Sequence, residues 1–440
     1  MKPLSAVINS VEKLGYRVTV GDVAAKAGLE INLAQQELLA LAADTGGHLQ
    51  VANTGEIVYL FPRNLRGILR NKSWQLRWQQ WWGKVWKVLF YLIRISFGIA
   101  LILSILLMLV AIVVIIVGLS ASSNRDENSG SSSGSSSSSS GGLGGMVFVP
   151  RFWFSPYSFR VFNWNYGYST PQRRPVNENN NQISFLESIF SFLFGDGNPN
   201  SGLEEERWQT IGTVIRNNQG AIVAEQIAPY LDNVTDTDDE SYVLPVLTRF
   251  NGYPEVSDSG DIIYYFPELQ VTATENQHQN ILPYLKEKLW KFSQASSGQI
   301  MGAIALGSVN IILALILGYF LQDEYVTELG DFIVFIDSIY GLLWVYAISF
   351  LIIPLGRNFW LQGKNRGIQK RNQARETQAN LLTQASDSLR RKIAYARNFA
   401  SQKILTDEDI TYSTEKDLLT QNLEQADEID QDWLRRLESN

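Results

Sequence analysis

Two polar side chains sit inside long apolar runs, Asn310 between Gln299 and Leu321 and Asp337 between Phe332 and Leu355. An ionisable group at membrane depth is costly and, where it has a partner, marks a proton or ion path. Asp337 lies only about 8 Å into its run at 1.5 Å per helical residue, so snorkelling to the adjoining loop accounts for it more cheaply. A second concentration of chemistry is the acidic string DNVTDTDDESY at 232–242, which contributes Asp238, Asp239 and Glu240. It has the carboxylate density of a calcium loop but lacks the central Gly and the closing Glu at the required spacing. It reads instead as a solvated loop that opens a helix. A third is MVFVPRFWFSPYSFRVFNWNYGYS at 146–169, whose ten aromatic side chains include Phe152, Trp153, Phe154 and Trp164. That density asks for burial in a partner, a core or an interface.

Enzymatic templates fail one by one. The chain has no Cys, and its histidines are His48 and His278, so disulfides, thiolate metal sites, Cys-ligated clusters and Cys nucleophiles are excluded. No GxGxxG follows a strand, no GxxxxGK[ST] occurs, and Ser, His and Asp fall in no recognisable order. No catalytic residue, metal ligand or cofactor is assigned. The formal net charge of -7 argues against wholesale nucleic-acid binding.

The elements that carry these residues begin with membrane segments. Ile95 to Leu119 holds 25 residues without a charge, more than the ~20 a helix needs to cross a ~30 Å hydrocarbon core. Trp74, Trp78, Trp81, Trp82 and Trp86 stand just before it, where half-buried rings favour the headgroup region. Gln299 to Leu321 and Phe332 to Leu355 form two further spans joined by the short loop QDEYVTELGD. Basic residues precede the first span and follow the last, from Arg66 to Arg94 and from Arg357 to Arg375, and the loop at 322–331 has none. Both basic ends therefore belong on the cytoplasmic or stromal side, which needs an even number of crossings. A fold-back of 85–119 into a hairpin is the preferred resolution. The alternative is a single span, with residues 120–298 on the far side. The first sixty residues lack the order of a signal peptide.

An internal repeat organises the polar regions. GEIVYLFP at 55–62 returns as GDIIYYFP at 260–267, and VTVGDVA at 18–24 aligns with IVAEQIA at 222–228. Periodicity and turn chemistry predict helix, short strand, helix near 20–27 closed by Gly28, helix from about 31 to 43, and a hairpin turning at Asn53-Thr54-Gly55. That order is the winged-helix arrangement, and DNA binding would place its third helix in the major groove. The third helix of the first copy, EINLAQQELLALAAD, has no base, and that of the second has Arg249 alone against Asp236, Asp238, Asp239 and Glu240. Phosphates at one charge per ~1.7 Å would repel such helices. Pro245 is expected to distort the second. A protein-docking or structural module is the remaining use.

The fold class is thus α+β soluble domains, two winged-helix-like repeats, plus α-helical transmembrane segments. The domains are a first winged-helix-like unit at 1–62, a Trp-rich basic interfacial segment at 63–94, a transmembrane helix at 95–119 and a Ser/Gly tether at 120–145. An aromatic-rich segment with a short apolar helix follows at 146–203, then a second winged-helix-like unit at 204–270, transmembrane helices at 299–321 and 332–355, and a charged helical tail at 358–440. The short helix, 183–195, lies on or dips into the bilayer, or else packs under the second unit. In the tail, Leu381, Leu382, Ala385, Leu389, Ile393 and Ala396 recur at helical spacing, a stripe that packs on the protein's own units or on a partner.

This order of unit, Trp-rich membrane entry, Ser/Gly tether, aromatic patch, second unit and paired spans resembles a family of membrane proteins of cyanobacteria and chloroplasts whose plant members carry the name iron–sulfur cluster biosynthesis family protein. The resemblance implies a thylakoid, envelope or bacterial inner membrane, with the termini cytoplasmic or stromal. A chain without Cys holds no cluster through thiolates, so the name implies an indirect role at most. The expected function is a membrane-anchored scaffold, or an assembly or maintenance factor, with the bilayer and a membrane or peripheral protein complex as partners. A membrane-tethered nucleic-acid-binding regulator is the alternative, followed by a transporter subunit using Asp337 and Asn310.

Overall fold

The computed structural model describes residues 3–72, 74–126, 184–232, 234, 239–275, 278–322, 330–417, 419–421, 423 and 426. In chain order the elements are α1 (Pro3–Lys13), β1 (Arg17–Thr19), α2 (Val20–Ala27), α3 (Ile31–Thr45), β2 (His48–Ala52), β3 (Ile57–Leu60), α4 (Leu65–Lys72) and α5 (Trp74–Asp126). There follow α6 (Phe185–Phe194), α7 (Leu203–Asn217), β4 (Ala221–Ile222), α8 (Ala224–Ile227), α9 (Leu244–Phe250), β5 (Tyr253–Val256), β6 (Ile262–Tyr265), α10 (Pro267–Gln270) and β7 (Val271–Thr272). Last come α11 (Ser297–Phe320), α12 (Asp331–Thr383), α13 (Asp387–Ala396), β8 (Lys403–Ile404) and β9 (Ile410–Ser413). They fall into two compact units. One comprises Met1–Lys84, Asn198–Trp290 and Lys364–Asn440, the other Val85–Gly197 and Lys291–Gly363.

In the first unit the sequence repeat has a structural counterpart. Thr19 caps α2 through a capping box, its hydroxyl accepting from Asp22 N while Asp22 accepts from Thr19 N, which satisfies donors the first turn leaves open. Gly28 closes the helix in the left-handed region at φ 67°, where a Cβ would be strained. The octamer strands pair alike, Tyr253 opposite Tyr265 in one hairpin and His48 opposite Leu60 in the other, and each sheet adds its short strand on the far side, in the orders β1-β3-β2 and β4-β6-β5. The copies differ at the third helix. α3 has 15 residues, whereas α9 has 7 and begins after a 3-10 turn at Glu240–Val243. Pro245 stands in the first turn of α9 and distorts no helix interior, because a missing N–H there removes no helical bond.

The copies are fused through one core. Ala24, Ala25, Ile31 and Ala34 of the first copy pack with Trp208, Ile211, Ile215, Phe250 and Phe266 of the second. At the crossing of α2 and α7 a Cβ on Gly212 would come within 2.8 Å of Ala25 Cα, so only glycine allows that approach. Burying an Ile or Phe side chain contributes about 1.5–3 kcal/mol, and separating the copies would expose several at once. The tail completes the unit from outside: β9 extends the first sheet beyond β2, β8 pairs in parallel with β7, and Leu389, Ile393 and Ala396 pack on Val223 and Ile263. The C-terminal half of the predicted stripe, Leu389, Ile393 and Ala396, therefore packs on the protein's own second copy, whereas Leu381 remains exposed.

Among the described residues, three helices are long and apolar enough to cross a membrane, within Trp81–Ser120, Ser297–Phe320 and Asp331–Thr383, and their apolar stretches belong to the second unit. The fold-back expected over 85–119 is absent. α5 is one helix of 53 residues, as a run with no proline and no turn sequence favours. The Trp-rich stretch is the beginning of that helix, and the expected Ser/Gly tether loses its first residues to it, through Asp126; residues 127–145 lie outside the described residues. α6, opened by the Ser184–Glu187 capping box, does not pack under the second repeat. It lies among the apolar helices, with Ile189 and Phe192 against Leu101, Ala303 and Phe350. Arg357 donates to the carbonyls of Ser191, Phe192 and Phe292, placing a cation at the negative end of α6.

Candidate functional site

The acidic string is drawn partly inward. Asp238 lies outside the described residues. Asp239 caps the 3-10 turn, accepting from Ser241 N at 3.0 Å. Glu240 accepts from Tyr264 OH at 2.6 Å and from the ammonium of Lys392, which also donates to both oxygens of Glu225 at 3.0 and 3.1 Å. Lys392 is buried to 7% exposure. Burial alone would lower its pKa, but the hydrogen bonds to Glu240 and Glu225 reverse that and raise it. Burial first, and the Glu240 hydrogen bond second, push the Tyr264 hydroxyl up. Glu240 thus clamps the tail to the second copy.

Arg249 is likewise turned inward. Its Nε donates to Gly28 O at 3.0 Å and its guanidinium stacks 4.2 Å from the Trp208 ring. Neither α3 nor α9 therefore presents a free base. Beside this stack a cleft of about 450 Å³ opens among α1, α2 and α7, with Lys13 and Lys26 on one wall and Glu204, Glu205 and Glu206 at the start of α7. Burial, and then Lys13 and Arg216, lower the Lys26 pKa.

Within the second unit Asn310 is fully buried, and its Oδ1 accepts from Ser104 Oγ at 2.8 Å, joining α11 to α5. Its Nδ2 finds no partner among the described residues. Asp337 is exposed on α12, so the two polar groups do not form one site. Phe152, Trp153, Phe154 and Trp164 lie outside the described residues.

Two ionic networks went unread in the sequence. Asp22, 1% exposed, accepts from Arg216, from Thr272 Oγ1 at 2.9 Å and from Ala273 N at 2.9 Å. The Thr19-x-x-Asp22 capping signature marks Asp22 as a helix-starting residue, but nothing local marks its distant partners. Arg375, buried, bridges Asp232 and Glu287, with Arg207 and Arg371 completing the set.

Together these features define a protein with, among the described residues, three long apolar helices and an α+β unit made from a duplicated motif fused through its core. It is 38% identical over 438 residues, 96% of this chain and 80% of the other, to the Arabidopsis thaliana protein described as uncharacterized and chloroplastic. The chain belongs to that protein's family. No family model matches it, and no solved structure matches it.

Proposed function

We propose that this is a membrane-anchored docking factor, serving assembly or maintenance of a complex in a chloroplast or cyanobacterial membrane through two fused winged-helix-like copies. The observation that carries this is the inward stacking of Arg249 on Trp208 together with the absence of any base in α3. A DNA-reading helix needs outward cations, so the exposed faces suit protein. The chloroplastic relative and the three apolar helices support the location. That residues 1–84, 198–290 and 364–440 share one folded unit supports reading them together on one side of the membrane, stromal or cytoplasmic by the flanking basic residues. With no cysteine in the chain, it holds no iron–sulfur cluster through thiolates, and the family name implies an indirect role at most. The transporter reading loses support because Asn310 is buried and Asp337 faces outward.

The test is cross-linking in native membranes, then mild-detergent purification of the tagged full chain with and without nuclease. A defined protein set that survives nuclease is expected. Recovery of nucleic acid, or loss of the set with nuclease, would move the assignment to a nucleic-acid regulator, and a preparation free of partners would overturn docking.

A further inference from the structure

The tail strand β9 covers an edge in the first copy that no strand among the described residues covers in the second. β9 runs antiparallel along β2, with Gln50 opposite Ser413 and Val51 opposite Tyr412. Thr414 N donates to Leu49 O, Leu49 N donates to Thr414 Oγ1, and Asn53 N donates to Asp409 O, each at 2.9 Å. Residues 49, 51 and 53 thus turn their backbone groups outward, while Ala52 N turns inward to Glu56 O at 2.9 Å. The second hairpin keeps this register, Val256 opposite Ile262 as Val51 is opposite Ile57. Ser257 N donates to Asp261 O at 2.9 Å as Ala52 N does to Glu56 O. Antiparallel alternation then turns Pro254, Val256 and Asp258 outward. Among the described residues the sheet ends at β5, and all four residues of that strand are exposed.

Pro254 guards the edge only partly. It corresponds to Leu49, whose N–H reaches a side-chain hydroxyl rather than a backbone carbonyl. An added strand still meets the Pro254 carbonyl, both backbone groups of Val256 and the Asp258 N–H. Two features state what such a strand carries. The side chains of Glu255 and Asp258 are exposed and make no ion pair or hydrogen bond among the described residues. Tyr253, 53% exposed, ends a ladder of rings, 5.7 Å from Tyr265, which is 5.9 Å from Phe399. Tyr253 and Glu255 share one face of the strand.

We propose that the outer edge of β5 binds one extended antiparallel segment of a partner protein, with Lys or Arg opposite Glu255 and, two residues further on, an aromatic residue opposite Tyr253. Main-chain bonds supply the affinity and these two side chains the choice of partner. Pairing with β5 of a second copy would set like carboxylates near one another, which is unfavourable across strands. The inference rests on the docking reading and names its edge and ligand.

The probe is a fluorescent peptide, GSTKVFTVSG, with GSTEVFTVSG as its charge-reversed control, titrated by anisotropy onto the full chain in detergent. The first peptide binds in preference to the second. Val256→Pro removes one outward donor and leaves the β5–β6 pairing, weakening binding by about tenfold, and Glu255→Lys reverses the preference between the peptides. Unchanged melting of both variants establishes that they fold. Absence of binding, or binding indifferent to both substitutions, overturns the edge. The same Val256→Pro chain, carried through the native-membrane purification, separates the two readings: a protein set that forms and survives the substitution leaves docking standing and removes the edge, whereas loss of members of that set supports both.

Discussion

The carboxylate of Asp22 and the guanidinium of Arg216, 194 residues apart in sequence, meet as a buried ion pair where the two copies of the motif fuse. Thr272 Oγ1 and the backbone N–H groups of Thr19 and Ala273 complete the hydrogen bonding of that carboxylate. The carboxylate is therefore satisfied on every side, while Arg216 Nε, also buried, finds no hydrogen-bond partner among the described residues; removing the carboxylate would leave a buried cation uncompensated, which is strongly destabilising.

Asp22→Ala should cost about 3–5 kcal/mol, because it strands the Arg216 cation in the core. Asp22→Leu combined with Arg216→Met should recover most of that loss. Thermal unfolding of the detergent-solubilised full chain reads both, and a single-variant loss below about 1 kcal/mol would show that the pair is not what holds the copies.

Stability should fall in acid through Asp232 and Glu287. The Arg371 hydrogen bond holds Glu287 low, and Asp232 is held low by Arg375 and Arg207 against burial, which alone would raise it. A depressed folded pKa gives stability that is present above the unfolded value and lost as pH drops through the folded one. Melting temperatures should therefore decline from about pH 4.5 downward, and Arg375→Met should flatten that decline. Parallel curves for the two chains would discard this assignment.

Asn310→Leu should be nearly neutral. The Ser104–Asn310 bond joins uncharged groups, interhelical hydrogen bonds in membranes average about 0.6 kcal/mol, and the substitution also removes a buried amide nitrogen without a partner. Detergent melting should shift by less than about 1 kcal/mol equivalent. Loss of the organism's phenotype at normal protein level would instead restore Asn310 to a transport role.

A tag placed at residue 135 should be protected from protease on the side where a tag after Asn440 is cleaved. α5 is a single helix, and the segments before it and after α12 belong to one unit. Both tags on one side would reinstate the fold-back of 85–119.

The apolar runs, the repeated octamer and the close of α2 at Gly28 were legible because each depends on groups a few residues apart. Burial in lipid needs only an unbroken stretch, a hairpin register follows from strand alternation and turn residues, and a glycine ends a helix by its own backbone freedom. The direction in which a charge turns was not legible. Arg249 had the right place for an outward base and stacks on Trp208; Glu240 belonged to an acidic string and grips Lys392, 152 residues away.

By itself the sequence determined three apolar helices and two related motifs with acidic third-helix regions. Only the tertiary structure decided that the motifs share one core, that the tail supplies an edge strand to one copy and not the other, and that the first apolar run stays a single helix. Those outcomes depend on surfaces brought together from distant parts of the chain, and the free energy of burying them is invisible to any local pattern.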